Sequence, residues 1–174
     1  VGTSILTNIV RFVFLLLLQG LIVNRLDLFN GQLLPQVYLF ALLMLPIETP
    51  RLLTLIIALA VGLLSDMFTG TPGVQASACL VMAYLQPLHQ RLVAPRDGYD
   101  FGRRPTIKSL GLFWYLSYAI PLILVHHFVM FFMEVFRFDS FLVTFGRVLF
   151  SAAGTLVLLV IGQYFLFSSK PKDR

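Results

Sequence analysis

Read from its amino terminus, the chain is a succession of long apolar runs separated by brief polar or Pro/Gly-rich interruptions. Six runs can be delimited, at about 4–23, 33–48, 52–68, 72–89, 110–134 and 141–167. None alternates polar and apolar residues with period two, which excludes the wall of a β-barrel. Helices are the other way for a backbone in lipid to satisfy its own hydrogen bonds, so each run is expected to be helical. The second run carries Pro35 in a first-turn position; the fourth opens on Thr71 as N-cap with Pro72 in the first turn and has Pro87 near its end. Runs two and three are short. Sixteen or seventeen residues rise only about 25 Å, against a hydrocarbon core of about 30 Å. Local thinning or burial against neighbours makes up the difference.

Composition fixes the medium. Of 174 residues, 58% are hydrophobic and 12% charged, and the mean hydropathy is +0.87. A soluble domain carries about 25% charged residues, so this chain cannot cover its own apolar side chains with polar surface. An ordinary soluble enzyme, a disordered regulator and a secreted disulfide scaffold are excluded. The expected fold is an all-α integral membrane protein, a bundle of six transmembrane helices forming one domain over 1–174. After the first run, Asn24-Arg25-Leu26-Asp27 lacks the small-residue cleavage pattern of a signal peptide, so that run is expected to be retained.

The net charge of +5 would point to nucleic acid in a soluble protein. Here the bases flank apolar runs, and no nucleic-acid partner is expected. Six crossings place both termini on one side, with Arg51, Arg91, Arg96, Arg103, Arg104, Lys108, Lys170, Lys172 and Arg174. The other side holds Arg25 and Arg137, and nine against two assigns both termini and the 90–109 loop to the cytoplasm.

Polar groups inside the runs need partners. Arg11 snorkels toward the near surface. Glu134 and Arg147 lie equally far either side of the turn near Ser140 and are expected to pair between adjacent helices. His126 and His127 sit close to Glu134. The cluster reads either as histidines hydrogen-bonded to a neighbouring helix or as a proton relay or metal site. HExxH spacing is absent, and the one cysteine, Cys79, offers no Cys-pair metal site and reads as a small buried hydrophobe. Ser65, in Gly62-Leu63-Leu64-Ser65-Asp66, is not in a nucleophile elbow. No catalytic residue, cofactor or metal is expected.

The hairpin joining runs three and four is rich in small residues. Ala58 with Gly62, and Gly73 with Ser77, form small-xxx-small pairs, continued by Ala76. Asp66 ends the third run, and Gly70, Pro72 and Gly73 shape the turn. Such residues allow close helix approach, either within the bundle or against a partner. The basic loop around Arg96, Arg103 and Arg104 sets topology and contacts anionic membrane lipid, or docks a cytoplasmic protein.

Together these segments resemble the MreD family of bacterial rod shape-determining membrane proteins. The resemblance rests on Leu45-Pro46-Ile47-Glu48-Thr49-Pro50-Arg51, on Gly62-Leu63-Leu64-Ser65-Asp66 with Gly70, Pro72, Gly73 and Ala76, on Pro95-Arg96-Asp97-Gly98-Tyr99, and on His126-His127 with Glu134. It implies a non-enzymatic scaffold of the cell-elongation machinery in the inner membrane. The implied partners are MreC, the MreB filament and the RodA–transpeptidase synthase complex. It also implies a helix arrangement similar to the membrane substrate-binding subunits of energy-coupling-factor transporters. A small-molecule-binding subunit of that kind is the alternative. Those subunits use an Ala-xxx-Ala surface on the first span, and here no alanine precedes Ala41.

Overall fold

The computed structural model describes the backbone of residues 2–25, 32–100, 102–135 and 141–167, and their side chains except those of 2–9, 11, 166 and 167. The side chain of Arg11, and Arg137, Ser140, Lys170, Lys172 and Arg174, lie outside the described residues. What is described is helical, without a strand: α1 (Gly2–Leu21) with a 3-10 turn (Val23–Arg25), α2 (Leu39–Leu43), α3 (Arg51–Thr69), α4 (Val74–Leu92), α5 (Ile107–Leu110), α6 (Leu112–Val135) and α7 (Phe141–Phe167). Three helices, Arg51–Thr69, Leu112–Val135 and Phe141–Phe165, are long and apolar enough to cross a membrane. Their outward faces carry exposed Leu52, Met67, Phe113, Leu142 and Phe165, a surface suited to lipid and not to water. Inside, α4 packs between α3 and α6, and α6 against α7.

The second apolar run is not the helix its composition predicts. Residues 33–36 are irregular, and only the five residues of α2 are helical. Yet Tyr38 through Leu45 are all buried. Hydrophobicity here reflects burial in protein, and the backbone is satisfied by side chains of four surrounding helices. From α1, Gln19 accepts the Val37 N–H at 2.6 Å and donates to the Pro35 carbonyl at 3.0 Å. From α7, Ser151 accepts the Leu34 N–H at 3.0 Å and donates to the Gln32 carbonyl at 3.3 Å, while Thr155 accepts the Gln36 N–H at 2.9 Å. From α4 and α6, Gln86 and Tyr118 donate to the Leu42 and Leu43 carbonyls at 3.3 and 3.1 Å. Irregular backbone at membrane depth is tolerated only under such cover. The segment descends beside α7 from the level of Ser151 to that of Gln163, whose amide reaches the Met44 sulfur at 2.8 Å. So the all-helical class stands, but a broken segment lies where the second of six transmembrane helices is expected, and three of the described helices are long and apolar enough to span.

The remaining elements start and stop for local reasons. Gly70 (φ 69°) ends α3 in the left-handed region that favours glycine. α4 begins at Val74, later than Thr71 and Pro72 predict, with Gly73 (φ 87°) as its N-cap residue and no side-chain cap of its own. α6 continues through Pro121. A proline in a helix leaves the carbonyl four residues earlier without its donor, and here that carbonyl, on Ser117, meets His89 Nε2 at 2.9 Å. Glu48 accepts the Gly102 N–H at 2.9 Å, and the Ile47 N–H meets the Arg103 carbonyl at 3.4 Å. These bonds gather the start of α3, the end of α4 and the basic loop at one end of the molecule.

Candidate functional site

The α3–α4 hairpin is built around one carboxylate. Gly73, Gln75 and Ala76 donate their backbone N–H groups to Asp66 at 2.9, 2.8 and 3.1 Å, and Thr71 donates its hydroxyl at 3.4 Å. The first turn of α4 has donors without helical acceptors and the positive end of the helix dipole, so a buried anion from the preceding helix serves as its cap. Close packing completes the joint. A Cβ on Gly62 would lie 2.8 Å from the Ala76 amide nitrogen and closer still to its Cα, and Ala58 on the same face is fully buried. Ala58, Gly62, Asp66 and Ala76 therefore act within the hairpin. Gly73 and Ser77 do not form a close-packing pair. A Cβ on Gly73 would meet nothing within 4 Å, so glycine serves its backbone angle there. The Ser77 hydroxyl donates to the Gly73 carbonyl at 2.6 Å.

Behind the hairpin lies a dry polar cluster. Tyr38, from the broken segment, donates to Gln75 Oε1 at 2.7 Å. Its proton being so placed, His126 Nε2 carries the hydrogen and donates to the tyrosine oxygen at 2.9 Å. The Cys79 sulfur lies 3.7 Å from the same imidazole nitrogen. His127 has both nitrogens engaged. Nδ1 donates to the Ile123 carbonyl at 2.9 Å, so Nε2 accepts from the Thr155 hydroxyl at 3.1 Å. Thr155 thus links the Gln36 amide to His127. The two histidines are hydrogen-bonded interior groups, each tied to another element. Among the described residues, no three of His, Cys, Asp and Glu converge as a metal ion requires.

Among the described residues, no ion pair joins Glu134 to Arg147. Glu134 is exposed, and the Arg147 guanidinium carbon lies over the Phe131 ring, 4.7 Å from its centroid. Phe131 precedes Glu134 by three residues, nearly one turn, and presents its face to α7 instead.

In the basic loop, Gly98 (φ 76°) donates its N–H to the Pro95 carbonyl at 2.9 Å, and this turn leaves Arg96 and Asp97 exposed. Tyr99 anchors the turn: its hydroxyl donates to the Gln90 carbonyl at 2.7 Å and its ring lies edge-on to Trp114. Burial raises the Tyr99 pKa above its ordinary value, so the phenol remains the donor at neutral pH. Arg103 is half-buried and paired with Asp100 at 3.1 Å, and Arg104 is half-buried. Arg96, Arg103 and Arg104 are therefore not equivalent: only the first stands fully exposed.

The polar residues that organise the interior, Gln19, Gln36, Gln86, Thr155 and Gln163, are not among the residues the sequence singles out. Their signal is a neutral hydrogen-bonding side chain inside an apolar run. A separate cavity of about 420 Å³ lies between α1, α7 and the broken segment, lined by apolar side chains such as Leu15, Phe40 and Leu159. No family model matches the chain, and comparisons with curated proteins and with solved structures find no match.

Proposed function

We propose that this chain is a non-enzymatic membrane scaffold of the bacterial cell-elongation machinery, of the MreD kind. In this reading it sits in the inner membrane with both termini and the basic loop in the cytoplasm. It receives the single span of MreC, helps to position or regulate the RodA–transpeptidase synthase, and is linked directly or indirectly to the MreB filament. The observation that carries the reading is how the interior polar groups are used. Asp66, Gln75, Tyr38, His126, His127 and Thr155 are joined in hydrogen bonds that hold the hairpin and the broken segment. The surfaces left for function are the lipid-facing helices and the basic end, where Arg51, Arg91 and Arg96 are exposed. That end also fits a cytoplasmic placement by the excess of bases. A transporter subunit would need polar groups around its ligand, which the apolar cavity beside α1 does not supply; a second cavity, of about 320 Å³, has Gln32 and Arg147 in its wall.

Depletion of the protein in its own host, with affinity purification of the full chain, tests the reading. Rounded cells, restored to rods by the wild-type chain, and co-purified MreC are expected. Normal rods after depletion, or stoichiometric recovery of a small ligand in place of MreC, would refute it. Gly62→Leu is not a selective probe of the partner surface, because it breaks the α3–α4 contact itself.

A further inference from the structure

The second cavity differs from the one beside α1 in carrying a cation in its wall. It is lined by Gln32 and by Leu142, Val143, Gly146, Arg147 and Phe150 of α7. Leu142, Val143 and Phe150 are also exposed on the outward face of that helix, so the cavity opens toward lipid. The fold holds both of its polar residues in place. The Arg147 guanidinium carbon lies 4.7 Å from the centroid of the Phe131 ring, and Phe131 is fully buried. Ser151, one turn after Arg147 on the same face of α7, donates to the Gln32 carbonyl at 3.3 Å and brings Gln32 beside the arginine. Among the described residues, no carboxylate lines the wall.

Arg147 lies about 9 Å of helix rise from Phe141, the first residue of α7, a depth at which a guanidinium is costly. Nor does it belong to the basic end. That end meets α7 at Gln163, whose Oε1 accepts the Ile107 N–H at 3.4 Å. Arg147 is about 24 Å of helix rise away from Gln163, so the excess of bases that sets topology does not account for it.

The geometry points to a site for the phosphate of an anionic glycerophospholipid, held between the Arg147 guanidinium and the Gln32 carboxamide. The glycerol and the first methylenes lie against Leu142, Val143 and Phe150. A guanidinium presents a fork of donors that matches phosphate oxygens, and its five N–H groups let a ligand share it with other acceptors. The cavity, of about 320 Å³, stands at the lower bound of small-molecule pockets. That is room for a headgroup, and a lipid needs no more because its chains stay in the bilayer. Apolar contacts add little for a molecule already in lipid, so affinity rests on the phosphate. The site does not depend on the scaffold reading, and each can fail without the other.

The test uses the full chain, delipidated in detergent and examined by native mass spectrometry. The probes are phosphatidylglycerol and diacylglycerol of identical acyl chains, with inorganic phosphate as competitor. One retained phosphatidylglycerol is expected, bound at least about tenfold more tightly than diacylglycerol, and millimolar phosphate should not displace it. Arg147→Gln should weaken it about tenfold. A Cβ on Gly146 would meet nothing within 4 Å, so Gly146→Phe fills the cavity without displacing protein and should abolish retention. Melting temperatures show whether each variant is folded, and Gly146→Phe decides if Arg147→Gln is not. Equal retention of diacylglycerol, displacement by free phosphate, or undiminished binding in Gly146→Phe overturns the proposal. So does a partner's span cross-linking to a Val143→Cys variant, because the cavity is then a protein interface.

Discussion

Replacing Asp66 with alanine removes the acceptor for three backbone N–H groups of α4. A single N-cap substitution costs about 0.5–2 kcal/mol, and a hydrogen bond to a charged group contributes about 1.5–3 kcal/mol. Simple addition overshoots, because exposed Gly70 lies at the hairpin's tip and water can partly replace the carboxylate there. A loss of about 3–5 kcal/mol is expected. At about 2–4 °C per kcal/mol for a chain of this size, the melting temperature should fall by about 6–20 °C. The chain carries its own reporter. Cys79 is the one cysteine, and it is fully buried on α4, so a thiol-reactive fluorophore reads the opening of this part of the bundle during a temperature ramp. Asp66→Asn keeps one acceptor oxygen but turns an NH2 toward the helix amides, and should fall between wild type and alanine. Ser65→Ala is the control, since Ser65 is buried on the same turn of α3 but the capping bonds to the α4 amides go to Asp66. A melting temperature for Asp66→Ala within about 2 °C of wild type, or a Ser65→Ala loss of equal size, would refute the capping argument.

Other consequences can be measured with the same reporter. Gly62→Ala should cost about 1–3 kcal/mol by overpacking, because its Cβ meets backbone; an unchanged melting temperature would mean that the helices do not approach as described. Thr155→Val strips the Gln36 amide and His127 Nε2 of a shared partner, with an expected loss of about 2–4 kcal/mol. Hydrogen exchange at Gln36 should accelerate; protection equal to wild type counts against the contact. His89→Phe should cost about 1 kcal/mol by abandoning the Ser117 carbonyl. In a Pro121→Ala background the restored helix N–H takes that carbonyl, so the same substitution should there be nearly silent. Additive losses in the double-mutant cycle would dismiss the idea that histidine repairs the proline's gap.

Much of the helical framework is legible in the residue pattern. The third, fifth and sixth runs, read as 52–68, 110–134 and 141–167, fall within two residues of α3, α6 and α7 at each end, because a continuous apolar stretch facing lipid leaves little choice. The fourth run, read as 72–89, lies two residues early at its start and three short at its end; the cap at its start comes from Asp66, eight residues upstream of Val74 and on another helix, so local cap patterns cannot reveal it. The 33–48 run fails for a deeper reason. Leucines that face lipid and leucines that face protein are equally apolar, and only the glutamines and hydroxyls elsewhere in the chain tell them apart. The Glu134–Arg147 expectation fails because equal distance from a turn fixes depth but not azimuth. The Asp66 motif is visible in the sequence, but its role emerges only with the path of the chain through Gly70 and Gly73.

The broken segment also sets a timetable for biosynthesis. Gln36 waits for Thr155, a residue 119 positions later, and at about 5–20 residues per second that is a delay of about 6–24 s. During that interval an irregular stretch of the amino-terminal third has amides and carbonyls that its own sequence cannot satisfy. It must be sheltered by the insertion machinery or held at the interface until the carboxy-terminal helix arrives. A chain truncated before α7 leaves the gap permanently open, which makes this late helix the checkpoint for a segment translated more than a hundred residues earlier.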